Sequence, residues 1–222
     1  MKRLVLFAMA LAAMMLMMFF AVSCTKPDDS INSVSVSGTI EQHDYVDLGL
    51  PSGNLWATCN VGADSPESFG DYYAWGETYR KIDFYWENYK FGMYGRDKYC
   101  ESDGLLVLEP EDDVVQCHWH DSWCMPTKEQ WEELVQNTTN VVITLNGVKG
   151  RLFTASNGNS LFLPATGVIE SEDPGFGNYW SSSVDDNSWN CAWEFLFDGH
   201  EYYITTFERY FGFTIRPVHP AI

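Results

Sequence analysis

Positive charge is scarce in this chain. Its 222 residues carry 13 Lys and Arg against 31 Asp and Glu, a formal net charge of −18. Nucleic-acid binding needs a Lys/Arg stripe to meet phosphates, so that function class is excluded. Anionic lipid headgroups repel such a surface as well. Other absences narrow the chemistry further. No glycine-flanked serine is present to form a hydrolase nucleophile elbow; Ser181 to Ser183 is a plain serine run. The five His are scattered. No Asp-x-Asp-x-Asp-Gly register offers a ready calcium loop. From His43 to His219 there is no long low-complexity break, which suits a single domain.

The N-terminus is the most legible part. Met1-Lys2-Arg3 is a short basic start, Leu4 to Val22 is an unbroken apolar run, and Ala21-Val22-Ser23 precedes Cys24. A basic start, an apolar stretch and small residues before a cut site make an export signal. The small residues before Cys24 resemble a bacterial lipobox, which implies cleavage after residue 23 and a diacylglycerol on Cys24. The alternative is an uncleaved anchor, since the run is near the roughly 20 residues that cross a bilayer. Either way, residues 25 onward lie beyond the inner membrane. Residues 24–42, polar and Ser-rich, are expected to form a flexible tether. The acidic pair Asp28-Asp29 just after Cys24 resembles the surface-export signals of Bacteroidetes lipoproteins, so an outer-membrane, surface-exposed location is expected.

Residues 43–222 read as an α+β domain of short strands, long loops and one clear helix near 127–136. Thr127-Lys128-Glu129-Gln130 fits a capping box, and Trp131, Leu134 and Val135 follow at helical spacing. Asn146-Gly147 marks a tight hairpin turn. A second hairpin is expected where Asp198-Gly199 separates Trp193–Phe197 from Glu201–Thr205. Alternation then places Cys191, Trp193, Phe195 and Phe197 on one core face. Aromatic residues make up 16% of the chain, enough apolar bulk for a sizeable core.

Several blocks run in order through the domain: Tyr45-Val46-Asp47-Leu48-Gly49-Leu50-Pro51-Ser52-Gly53, Leu55-Trp56-Ala57-Thr58-Cys59-Asn60-Val61-Gly62-Ala63, Gly70-Asp71-Tyr72-Tyr73-Ala74-Trp75-Gly76-Glu77-Thr78, Met125-Pro126-Thr127, Gly177-Asn178-Tyr179-Trp180-Ser181-Ser182-Ser183 and Ile215-Arg216-Pro217-Val218. They resemble a Bacteroidetes family related to the Fibrobacter succinogenes major paralogous domain. That resemblance implies a C-type-lectin-like fold, close to the formylglycine-generating-enzyme architecture. The chain departs from the family pattern at Cys124, where Arg is usual, and at His120-Asp121, where a Gly pair is usual. The copper-dependent oxidase activity of that architecture needs two neighbouring thiols late in the fold, and Cys191 stands alone there. A non-enzymatic domain binding an extracellular glycan or protein is therefore expected. A structural or assembly subunit of a surface or fimbria-like structure is the alternative.

Three residue groups are candidates for binding. The segment 183–213 mixes rigid aromatics with adaptable polar groups, a composition suited to contact faces; Asp185, Asp186, Asn187, Trp189, His200, Tyr202 and Arg209 are its expected ligand-binding residues. Glu109, Glu111, Asp112 and Asp113 offer oxygens to calcium, although Glu109-Pro110-Glu111 only partly echoes the Glu-Pro-Asn motif of calcium-dependent lectins; a solvated loop is the other reading. Cys117-His118-Trp119-His120-Asp121-Ser122-Trp123-Cys124 groups two thiols and two imidazoles. Zinc, a disulfide or free thiols all remain open for it. The odd set Cys59, Cys100, Cys117, Cys124 and Cys191 leaves at least one thiol without an intrachain partner.

Overall fold

The computed structural model describes residues 30–31, 34–119, 122–167 and 175–221. Cys24 and the apolar run before it lie outside the described residues. Among the described residues no helix is long and apolar enough to cross a membrane. The fold is mixed α+β, as the strand and turn signals predict. In chain order the strands are β1 (Ser30–Ile31), β2 (Gly38–Ile40), β3 (His43–Val46), β4 (Leu55–Ala57), β5 (Thr138–Leu145), β6 (Val148–Ala155), β7 (Ser160–Pro164), β8 (Gly177–Val184), β9 (Cys191–Phe197), β10 (Tyr202–Glu208) and β11 (Val218–His219). The helices are α1 (Val114–Trp119) and α2 (Lys128–Asn137). The strands form three sheets, ordered β1-β5-β6-β7, β10-β9-β8 and β11-β4-β3-β2.

Local chemistry explains the elements that sequence reading anticipates. Thr127 caps α2: its hydroxyl accepts the Gln130 amide, and the Gln130 side chain accepts the Thr127 N–H. Trp131 and Leu134 are the residues that α2 buries. Trp131 stacks on Phe195 with ring centroids 4.8 Å apart, which fixes α2 against the β8–β10 sheet. Asn146 and Gly147 both adopt positive φ, the geometry of a two-residue hairpin turn, and join β5 to β6 in unbroken register. β9 and β10 pair antiparallel from Cys191↔Glu208 to Phe197↔Tyr202.

Two expectations need correction here. The fold begins inside the stretch read as a tether. Gly38–Ile40 turns through Glu41-Gln42 and pairs with β3, while the Ser35 hydroxyl accepts the Ser160 N–H. The polar composition of this stretch reflects an edge hairpin, not a free linker. The single core face expected for β9 is also not found. Phe195 and Phe197 pack into one core cluster, but Ala192, on the opposite face, packs into another, and Trp193 is only half-buried. β9 is the central strand of a sheet covered on both sides, so alternation cannot separate core from solvent. α1, six residues long, was not anticipated. Asp113 starts it by accepting the Val115 N–H.

Several ionisable side chains are buried, Arg209 and Glu194 among them. The Arg209 guanidinium is fully buried and makes no ion pair among the described residues. Its Nε donates to the Tyr89 hydroxyl, Nη1 to the carbonyls of Tyr99 and Trp189, and Nη2 to those of Gly95 and Lys98. It also lies over the Trp75, Tyr89 and Phe91 rings, at 5.0, 5.4 and 5.7 Å. Gly95 is required for this approach: a Cβ there would stand 2.4 Å from Nη2. Another such side chain is Glu194, whose carboxyl accepts from the Asn178 amide while Oε1 has no partner among the described residues. Burial pushes its carboxyl up to about 7, opposed only by that bond.

Replacing Arg209 by Lys keeps the charge but loses the planar fork. Several buried acceptors are then left unpaired, and urea unfolding should show a loss on the order of 3 kcal/mol. A change under about 0.5 kcal/mol, the range of an ordinary surface substitution, would show that the fork is dispensable. For Glu194 the folded-state value lies above the unfolded one, so its contribution is complete below the unfolded value and fades as pH rises through about 7. Glu194→Gln should therefore flatten the stability–pH curve across that window and gain roughly 2–3 kcal/mol at mildly alkaline pH. Parallel curves for variant and wild type would place the titration elsewhere.

Candidate functional site

The expected contact segment does not form one face. Asp186 and Asn187 are exposed at the turn before β9, where they line a groove of about 340 Å³ together with Trp193, Lys128 and the exposed Val107. The Lys128 ammonium sits 3.9 Å above the Trp193 ring. His200 and Tyr202 are exposed at the far end of the β9–β10 hairpin, one strand length away. Asp185 is buried and accepts the Asn187 N–H, so it holds the turn and presents nothing outward. Trp189 is half-buried and packs against the core, and its carbonyl accepts from Arg209. Arg209 is corrected most plainly. Expected on the contact face, it is buried, because neutral oxygens and aromatic rings solvate it inside the protein.

The acidic block divides as well. Asp113 turns inward, accepting the Val115 and Met125 N–H groups. Glu109, Glu111 and Asp112 do converge, but they converge on the Lys98 ammonium, at 2.5, 3.2 and 2.6 Å. Asp112 also meets Lys90 and accepts from the Tyr99 hydroxyl at 2.7 Å. Burial raises the Asp112 carboxyl, but these partners outweigh it and leave it below its ordinary value. The expected calcium ligands thus already surround an internal cation.

Among the described residues of the cysteine–histidine block, no metal-ligand cluster forms. Cys59, Cys100, Cys117, Cys124 and Cys191 are all free thiols. Cys117 points outward on α1, toward the Pro110 and Glu111 carbonyls. Cys124 is bridged to β11 through Val218, and burial, aided by the Asp113 charge, pushes its thiol up to about 12. A thiol kept protonated in this way is a poor zinc ligand. His120 and Asp121 lie outside the described residues.

A further concavity lies outside the ligand-binding residues that sequence reading singles out. It is a cleft of about 580 Å³ between the start of β3, the 61–80 loops and the end of α1. Its polar groups are Asp71, Arg80, His118 and His43, and its aromatic walls are Tyr73, Tyr79 and Trp119. His43 stacks flat on Trp119, with centroids 3.5 Å apart and planes at 4°. Trp119 in turn meets Trp123 edge-on, so that wall is rigid. The His118 Nε2–H donates to the Thr78 carbonyl at 2.8 Å and ties the loop to α1.

Asp71 is held at the cleft by a glycine device. Its N–H donates to the Val61 carbonyl, and its carboxylate lies where a Cβ on Gly62 would stand, 2.3 Å from Oδ2. Gly62 and Gly70 both adopt positive φ, so these glycines are needed for conformation and for space. Asp71 accepts from Arg80 at 3.2 Å and from the Tyr73 hydroxyl at 3.4 Å. Burial and then the Asp71 charge push the Tyr73 phenol up to about 12, so it stays a donor. The Arg80 side chain is 72% exposed, leaving most of its fork available. Together the cleft offers an acceptor pair, a cationic fork and an exposed ring, Tyr79, within one hollow. The signal in the sequence was the Gly70-Asp71-Tyr72-Tyr73 block, with its positive-φ glycine beside a carboxylate.

No protein family, curated protein or solved structure matches the chain.

Since Lys98 fills the acidic triad, calcium and a chelator should leave the wild-type melting temperature unchanged. Lys98→Met removes the internal cation; it should lower the melting temperature and make it rise again with millimolar calcium, by mass action on the freed carboxylates. A calcium response in the wild type would restore the metal reading.

Proposed function

We propose that this chain is a cell-envelope lipoprotein, anchored through lipid on Cys24, whose non-enzymatic domain binds an extracellular glycan or protein. The family resemblance and the lipobox-like segment support the class and the location. The observation that carries the binding reading is the wide cleft. It combines the Asp71–Arg80 pair, which can meet neighbouring hydroxyls or amides as acceptor and donor, with the exposed Tyr79 ring as an apolar platform. Convergent polar groups in an aromatic hollow are the usual form of a small-ligand site. Calcium has no part in this binding mode.

The non-enzymatic reading rests on how the reactive groups are engaged. The Ser181 hydroxyl donates to the Trp193 carbonyl, and Ser182 and Ser183 are buried in β8. In the cleft His43 is stacked on Trp119 and His118 is tied to Thr78.

The deciding experiment is a glycan and host-protein binding screen on residues 25–222, run with calcium and with a chelator. A specific ligand should bind equally in both. Asp71→Asn, Arg80→Gln and Tyr79→Ala should each weaken it roughly 10- to 100-fold, the worth of one or two lost polar or stacking contacts, while the melting temperature holds. Undiminished binding in the Asp71→Asn, Arg80→Gln double variant would remove the cleft from the interface. In parallel, Cys24→Ser should abolish fatty-acid labelling of the full chain; continued labelling would refute the anchor.

A further inference from the structure

The β10-β9-β8 sheet has two edges, and the protein treats them differently. The outer edge of β8 is covered: Val107 bridges to Ser183, Thr214 to Tyr179, and Gly167 to Gly177. Among the described residues the outer edge of β10 (Tyr202–Glu208) pairs with no further strand; beyond β9 only its last residue is engaged, where the Glu208 carbonyl accepts the Phe211 N–H. Bare edges are normally blunted by Lys, Pro, a bulge or shortness. β10 has none of these. It reads Tyr-Tyr-Ile-Thr-Thr-Phe-Glu, and its register against β9 runs without a break. Tyr202, Tyr203 and Phe207 are 36%, 45% and 38% exposed. The other long edge, β5, is already partly taken by β1 at Thr144 and Leu145.

We propose that β10 accepts an extended segment of another protein by strand addition, and that this segment carries basic residues at its ends with β-branched or aromatic residues between. Main-chain hydrogen bonds would supply the affinity and alternate side chains the specificity. Charge decides the occupant. Glu201 and Glu208 stand at the two ends of the edge, and the cations beside it, Arg151 against Glu201 and Tyr202 and Arg209 next to Glu208, are both buried. A second copy of this chain would bring another net −18 against the same edge, and like charges across a strand pair are unfavourable. A segment with Lys or Arg at its ends matches both glutamates. The surface is distinct from the wide cleft, so it adds a protein partner to whatever ligand the cleft holds.

The test uses two synthetic peptides, Lys-Thr-Val-Thr-Tyr-Thr-Val-Lys and the same sequence with Glu at both ends, titrated into residues 25–222 and followed by fluorescence anisotropy and backbone amide NMR. The Lys-ended peptide should bind roughly tenfold more tightly, as two favourable end pairs imply, and should protect amides within Tyr202–Glu208. Tyr203→Lys with Thr205→Lys, which share one face of β10 and place charges of the same sign as the peptide's ends beside the edge, should weaken it by a similar factor while the melting temperature holds. The proposal is overturned if neither peptide binds, if both bind equally, or if protection falls on β5 instead. Sedimentation showing a dimer that Tyr203→Lys dissolves would also overturn it, by making a second copy the occupant.

Discussion

The structure hangs on a cation buried without a counter-ion. Arg209 leaves β10 and enters the interior, where carbonyl oxygens, one phenol and three ring faces replace its water. A buried charge is costly unless its hydrogen bonds are all made, and here every arm of the fork is used. Three of its acceptors, the Gly95, Lys98 and Tyr99 carbonyls, lie more than a hundred residues earlier in the chain. That loop has only short 3-10 turns of its own. Arg209 therefore does for the loop what a strand ladder does elsewhere: it gives the backbone carbonyls a partner and fixes their position. Arg216 repeats the device on a smaller scale, tying the C-terminal segment to Asn60, Ala57 and Thr58.

Local signals were legible and distant ones were not. The Thr127 capping box, the Asn146-Gly147 turn and the β9–β10 hairpin each depend on residues a few positions apart, so the sequence displays them directly. The α+β class follows from the same patterns. Arg209 could not be placed in this way. It lies between Glu208 and Tyr210 in a polar, aromatic run, and what buries it comes from residues 75–99. The core face of β9 misled for a related reason: alternation reports a face only when the opposite face meets water, and β9 is covered on both. The wide cleft escaped notice because its parts come from β3, two loops and the end of α1.

What was expected as one binding face is several places with different jobs. Asp185 and Trp189 hold local structure, Asp186 and Asn187 border a narrow groove, and His200 and Tyr202 crown a hairpin. The acidic block shows the same redistribution: its carboxylates neutralise Lys98 and start α1. In a chain this rich in acids, the informative carboxylate is the one that packing leaves facing a cavity. Asp71 meets that condition, since Gly62 leaves room for its carboxylate and Gly70, just before it, takes the positive φ of the turn.

The pairing of Ser30–Ile31 with the end of β5 sets how the domain would stand on a membrane. Cys24 precedes Ser30 by six residues, a link of about 20 Å at full stretch. With lipid on Cys24, as proposed, that end of the β5–β6 sheet would ride close above the headgroups, on a leash of at most six residues. A domain held this way tumbles little and searches in two dimensions. Ligands on the same membrane would then meet it at an effective concentration set by the leash, and orientation would matter to their capture as much as affinity.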